Sequence, residues 1–206
     1  MTINSEDEIH RIVADMVKRT LGSQGKAAAL PQPVATVQVP PAVKPEPKKQ
    51  SPVKKMVAIG ADHGGFELKE ALKATLVELG YEVDDCGTNT RDSVDYPDFA
   101  AAVARLVAEG KAWRGVMIDG AGIGSCMAAN KIKGVRAAMC YDYATAVNSR
   151  EHNDANVLTL GAGLIGVNQA KLILKTWLAT EFGGGRHAGR VNKIMALETS
   201  SVKDGK

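Results

Sequence analysis

The stretch VMIDGAGIGSCMAANK, Val116 to Lys131, decides the fold. An apolar run ends at Asp119, the chain turns through Gly120, Gly122 and Gly124, and a helical pattern begins. A strand that passes into a helix through closely spaced glycines is a unit of a parallel sheet. The turn aims backbone N–H groups and a helix N-terminus at one spot, a natural place for an anion. It also sets the carboxylate of Asp119 beside that spot, and a carboxylate next to an anion hole suits proton transfer beside a carbonyl. A plain strand-to-helix turn, with glycines for tight packing, is the alternative reading of this segment.

Outward from this run, short apolar segments alternate with amphipathic ones. The pattern predicts strands at 56–61, 81–86, 115–119, 135–140 and 157–161, and helices near 65–79, 97–109, 124–132, 142–150, 166–180 and 190–197. Such alternation predicts an α/β fold, a Rossmann-like doubly wound parallel sheet of about five strands covered on both faces. Ligands in these sheets bind at the carboxyl ends of the strands.

The residues expected there carry chemistry. Gly60-Ala-Asp62-His63-Gly64-Gly65 follows the first strand, placing a carboxylate and an imidazole on one turn, suited to hydroxyl protons or to a phosphate. An N-cap aspartate with an incidental histidine is the plainer reading. Tyr96 precedes Pro97 at an expected helix start and faces either a ligand or the core. His152, in the polar run Ser149-Arg-Glu-His-Asn-Asp154, suits a general acid or base and is poorly placed for a core role. Arg186 and Arg190 stand four apart after Gly183-Gly-Gly185, and a guanidinium pair at a helix start suits a phosphate; a solvated basic turn is the alternative.

Composition narrows the function classes. The net charge of +3 divides unevenly: residues 1–55 hold nine Lys/Arg against five Asp/Glu, and the remainder seventeen against eighteen. A nearly neutral body with few aromatics argues against nucleic-acid binding. Cys86, Cys126 and Cys140 are odd in number and lie in apolar stretches, which reads as reduced thiols in a cytoplasmic protein. No apolar run approaches a membrane span. A nucleotide-binding module is a distant option, because Asp84 and Asp85 lie within the second strand and not after it.

The first 55 residues read differently. Ile9, Ile12, Val13, Met16, Val17 and Leu21 form one stripe on an expected amphipathic helix over 5–21, opened by a Ser5/Glu8 capping box and stopped by Gly22. Residues 23–55 hold seven of the eight prolines and read as a disordered, extended linker. One stripe on so short a helix needs a partner surface. The division expected is therefore 1–22 docking peptide, 23–55 linker, 56–198 catalytic body and 199–206 tail. The docking peptide resembles the encapsulation peptides that send enzymes into bacterial microcompartments, where it would meet a shell or cargo protein. Its few basic residues and lack of Trp and Phe disfavour a membrane.

Taken together, GADHGGFELKEAL, DYPDFA, GAGIGSCMAANKIKGVRAA, SREHNDANVL and GGRHAGRV resemble the B-type ribose-5-phosphate isomerase family, which includes the galactose-6-phosphate isomerase subunits. The resemblance covers about 56–198. It implies metal-free, cofactor-free aldose–ketose isomerisation of a sugar phosphate through an enediolate. It also implies a homodimer or dimer of dimers whose active sites are shared between subunits. By position, Asp62, His63, His152 and Asn153 would serve ring opening and substrate hydroxyls, Arg186 and Arg190 with His63 would hold phosphate, and Gly120, Gly122 and Gly124 would stabilise the enediolate oxygen. Tyr96 and Ser125 complete the expected substrate contacts.

The chain departs from the family pattern at the reacting centre. Asp119 stands where many members carry a cysteine base, and Ser125 where another branch has a glutamate. Ala121 replaces a hydroxyl residue, and Gly163 an arginine. Asp119 with Ser125 is similar to the A subunit of galactose-6-phosphate isomerase. Three readings of the base follow: Asp119, a carboxylate able to take a proton beside a carbonyl; Cys126, in the first turn of a helix; or none, in a binding subunit that needs a paralogue.

Overall fold

The computed structural model describes Asp15 and residues 55–200. The chain divides into two units, Met1–Lys48 and Lys49–Lys206. The expected docking helix, apart from Asp15, and nearly all of the linker lie outside the described residues, as does the tail beyond Ser200.

The second unit alternates as the pattern predicts: β1 (Met56–Ala61), α1 (Phe66–Glu78), β2 (Glu82–Asp85), α2 (Tyr96–Ala108), β3 (Arg114–Asp119), α3 (Ile123–Ala129), β4 (Ala137–Met139), α4 (Tyr143–Glu151), β5 (Val157–Gly161), α5 (Val167–Ala179) and α6 (Arg186–Ser200). The five strands form one parallel sheet in the order β2-β1-β3-β5-β4. β4 shrinks to three residues because it is an edge, paired only with β5. α6 starts earlier than expected, directly after the glycine run, and continues past residue 198.

Alternation along the strands sorts the core. Val57, Ile59, Val116, Ile118, Leu158 and Leu160 meet Leu68, Leu72, Leu76, Ala146, Ile173 and Leu174 from α1, α4 and α5. Ala58 and Val157, pointing the other way, meet Val103, Ala104, Val107 and Ala129 from α2 and α3. Each of these larger side chains removes about 1.5–3 kcal/mol worth of apolar surface from water.

The amino end of the sheet is sealed by cations. Arg114, at the first position of β3, donates to the carbonyls of Trp177 and Leu178 at 2.8 and 2.9 Å and lies over both Trp113 and Trp177. Burial, the largest cause, lowers its pKa to about 10.

Between β1 and β3 the strand order reverses: the chain leaves β1 for β2 on one side and resumes at β3 on the other. That reversal opens a crevice at the carboxyl ends of β1 and β3.

Candidate active site

The crevice is built from two turns that touch. After β1, Asp62 is almost buried, and its Oδ1 accepts from the Gly65 N–H at 2.9 Å, closing the turn into α1. Its own N–H donates to the Ile118 carbonyl of β3 at 3.1 Å, which ties the two strand ends together. His63 is exposed, and its Nδ1 accepts from the Val94 N–H at 3.3 Å, so the Nε2 side remains for a ligand. A Cβ placed on Gly64 would come within 3.8 Å of the Gly120 nitrogen, a measure of how closely the turns abut.

After β3, two glycines are required by geometry. Gly122 has φ +79°, and a Cβ there would sit 2.9 Å from the Leu160 carbonyl carbon of β5. At Gly124 a Cβ would fall 2.5 Å from the ring of Tyr96, so the tyrosine at the head of α2 packs directly against the turn. Gly120 differs: a Cβ there would meet nothing within 4 Å, which marks the open side of the crevice. β5 braces the turn from below, with Thr159 Oγ1 donating to the Gly122 carbonyl at 2.9 Å and the Gly163 N–H to the Gly120 carbonyl at 2.9 Å.

Asp119 alters the sequence reading. The expectation set its carboxylate beside the anion hole; in the structure the carboxylate occupies much of it. Oδ1 accepts from the Ala121 N–H at 2.8 Å and from the Gly122 N–H. Oδ2 accepts from the Ser125 N–H at 3.0 Å and from the Ser125 hydroxyl. An ionised carboxylate offers about four lone-pair sites, and all are matched here. The cause is the short side chain on the last strand residue, which folds back onto the amides its own turn exposes. Of the N–H groups that the start of α3 leaves without intrahelical partners, Asp119 takes those of Gly122 and Ser125 and not those of Ile123 and Gly124.

Cys126 points elsewhere. Its Sγ lies 3.4 Å from the Ala137 carbonyl of β4 and 3.6 Å from Asn130 Nδ2, so it faces the sheet edge and not the turn. Cys86 and Cys140 are pushed up to about 11, in each case mainly by burial, which makes them poor nucleophiles. Among the described residues, no group of three or more His, Cys, Asp or Glu is placed to hold a metal ion.

The other expected site residues lie at the far end of the sheet. α4 leaves the carboxyl end of β4 and runs back, so His152 and Asn153, which close it, stand at the amino end near the start of β5. α5 runs back likewise, and the Gly183 N–H donates to the Glu151 carbonyl at 2.9 Å. That bond brings Arg186 and His187, at the head of α6, alongside His152. The His152 and His187 rings stack with centroids 4.2 Å apart and planes 5° apart. Arg186 and Arg190 are exposed, one helical turn apart. The sequence reading gathered all these motifs at one strand edge; antiparallel return of the helices divides them between two.

A model of the ribose/galactose isomerase family matches residues 57–194. The chain belongs to this family. It is 46% identical over 144 residues to ribose-5-phosphate isomerase B of Escherichia coli, covering 70% of this chain and 97% of that protein. It is 42% identical over 139 residues to D-erythrulose-4-phosphate isomerase of Pectobacterium atrosepticum, covering 67% and 91%. Among solved structures, ribose-5-phosphate isomerase B of Clostridium thermocellum superposes with a TM-score of 0.70 at 49% identity, covering 71% of this chain and 99% of that one. Within this family's fold, the structure brings Asp62, His63, Tyr96, Asp119, Gly120, Gly122, Gly124 and Ser125 together at one end. His152, Asn153, Arg186 and Arg190 form the set at the other.

Two residues of the second set were not singled out from sequence. In sequence His187 is only one member of GGRHAGRV, yet it stacks on His152. Asn148, one turn before His152 on α4, lies 2.8 Å from its Nδ1. The i,i+4 spacing of Asn148 and His152 was the available signal.

Proposed function

We propose that the chain is an aldose–ketose isomerase of a sugar phosphate, interconverting ribose 5-phosphate and ribulose 5-phosphate through an enediolate. Each active site is completed by a second copy. The observation that carries this reading is the division of the site between opposite ends of one sheet. The carboxyl-end half offers hydroxyl- and proton-handling groups, with Arg91 of its β2–α2 loop ion-paired to Glu67, and the amino-end half offers two exposed arginines and a histidine. Facing each other across a two-fold axis, the halves make two complete sites, each with a phosphate clamp at one end and the reacting carbons at the other.

In this arrangement Arg186 and Arg190 of one copy grip the phosphate, with His63 of the other able to reach it. His152 gives a proton to the ring oxygen as the sugar opens, while Asp62 takes the proton of the anomeric hydroxyl. Asn153 and Tyr96 hold the remaining hydroxyls. Asp119 then accepts the proton from C2 and returns it to C1, and the Ile123 and Gly124 amides at the start of α3, which Asp119 does not take, serve the enediolate oxygen. Three of the four hydrogen bonds on Asp119 come from backbone N–H groups fixed by the turn. The fourth comes from the Ser125 hydroxyl, which can rotate away and open one lone pair of Oδ2. The saturation of that carboxylate also favours a second reading: a sugar-phosphate-binding subunit that turns over only with a paralogue.

A panel of pentose, tetrose and hexose phosphates assayed with the pure full chain separates the two. Turnover of ribose 5-phosphate supports the first; binding without turnover of any sugar phosphate refutes it. Mixing Asp62→Asn with His152→Gln tests the shared site. Random re-pairing restores about a quarter of wild-type activity, since half the dimers then hold one intact site of two. No recovery after demonstrated exchange of subunits refutes the sharing.

The N-terminal stripe over 5–21, on its proline-rich linker, supports the further proposal that this enzyme is cargo of a bacterial microcompartment, docked through that helix. A fluorescent protein fused to residues 1–22 then forms puncta in cells that make shells, and diffuse fluorescence there refutes it.

A further inference from the structure

The side chains behind His152 determine which of its nitrogens carries the proton. The backbone carbonyl of Asn148 can only accept a hydrogen bond. It lies 3.3 Å from one terminal atom of the Asn153 amide, which must therefore be the NH2 nitrogen. That same nitrogen lies 3.3 Å from the side-chain Oδ1 of Asn148, which fixes the Asn148 amide with its oxygen toward Asn153. Its Nδ2 is thereby turned toward His152 Nδ1, at 2.8 Å. An amide NH2 has hydrogens to give and no lone pair to offer, so Nδ1 accepts and the proton of the neutral ring sits on Nε2. Stacking against His187 at 4.2 Å holds the ring plane.

We propose that Asn148 is a positioning residue that keeps Nδ1 of His152 as an acceptor and the ring proton on Nε2, so that Nε2 is the nitrogen that meets the sugar as the donor. The consequence for turnover rests on the isomerase reading; the tautomer itself does not. Glu151 Oε1 stands 4.0 Å from Nε2, beyond hydrogen-bond reach, so it does not compete for the Nε2 proton. The stacked partner, His187, is itself held below the usual histidine range, by desolvation first and then by His152, Arg186 and Arg190.

The test is a long-range proton–nitrogen correlation spectrum of the 15N-labelled full chain in alkaline solution, where each histidine ring shows which nitrogen is protonated. The chain has four histidines, and His152→Gln assigns the relevant pattern by its disappearance. In the wild type, His152 is expected with Nε2 protonated and Nδ1 bare. Asn148→Asp places acceptor-only oxygens at Nδ1 and moves the proton there. Asn148→Leu relaxes the tautomer ratio by roughly tenfold, the worth of one hydrogen bond. With ribose 5-phosphate as substrate, kcat of Asn148→Asp falls by roughly a hundredfold while KM stays near the wild-type value, as loss of a general acid demands. A wild-type spectrum with the proton on Nδ1, or an Asn148→Asp spectrum unchanged at His152, overturns the proposal. A wild-type chain that turns over no sugar phosphate overturns the isomerase reading instead, and the spectrum still decides the tautomer.

Discussion

Replacing Asp119 tests both roles assigned to it, because the carboxylate is at once the expected base and the closure of the Gly120–Ser125 turn. In Asp119→Ala, three backbone N–H groups and one hydroxyl lose their acceptor in a site that is 4% exposed. Hydrogen bonds to a charged acceptor are worth about 1.5–3 kcal/mol each, and those sharing one group do not add, so a loss of about 4 kcal/mol is expected. For a chain of this size that lowers Tm by roughly 10 °C. Asp119→Asn is milder. Its carbonyl oxygen can still serve Ala121 and Gly122, and the Ser125 hydroxyl can turn to accept from the new amide. The Ser125 N–H, however, faces an NH2 group, and the loss falls to about 2 kcal/mol. Thermal unfolding of the two variants beside wild type measures the difference, and an isomerase assay on Asp119→Asn measures the base, with a fall of about 10²–10⁴-fold expected. An Asp119→Asn chain with wild-type Tm and wild-type turnover would refute both the clamp and the base.

Other outcomes follow from the same geometry. Ser125→Ala keeps the N–H bond to Asp119 and loses only the hydroxyl, so Tm falls slightly while kcat does not drop; a large loss of turnover would contradict the rotating hydroxyl. Gly124→Ala drives a methyl into the Tyr96 ring and costs about 1–3 kcal/mol, but little in a chain that also carries Tyr96→Ala; urea unfolding of the double-mutant cycle reads the coupling, and strict additivity would contradict the contact. The raised pKa of the buried Cys140 thiol gives a pH dependence. The unfolded chain releases this proton near 9 while the folded chain holds it to about 11, so stability falls as pH rises through that window. A Cys140→Ala chain should show a shallower decline, and an identical slope would contradict the assignment.

Much of the fold was legible because each strand is short and apolar, each helix is amphipathic, and glycines separate them. Met56–Ala61 and Val157–Gly161 match the pattern to the residue, since both are central strands buried along almost their whole length. β4 was read too long because an edge strand pairs on one side only and stops where that pairing ends. The site was legible as residue types and not as a place. In the sequence Asp62 follows a strand, whereas His152 follows a helical pattern and precedes a strand, and that helix runs back to the opposite end of the sheet. Nor does sequence report that Asp119 folds onto its own turn, since that depends on a side chain one methylene long meeting amides two, three and six positions away. Asn148 stayed hidden because its partner lies one helical turn along, and an exposed asparagine reads as a solvated one.

The folded-back carboxylate of Asp119 has a consequence for how the crevice is ready before any sugar arrives. A glycine turn that relied on a diffusible phosphate or sulfate would be ordered only while that ion was bound, and its shape would follow the ionic content of the solution. Here the counter-charge is tethered by the backbone, so the turn sets as the strand end forms and stays set between catalytic cycles. Ordering entropy is thus spent once, in folding, and not again at each encounter with substrate.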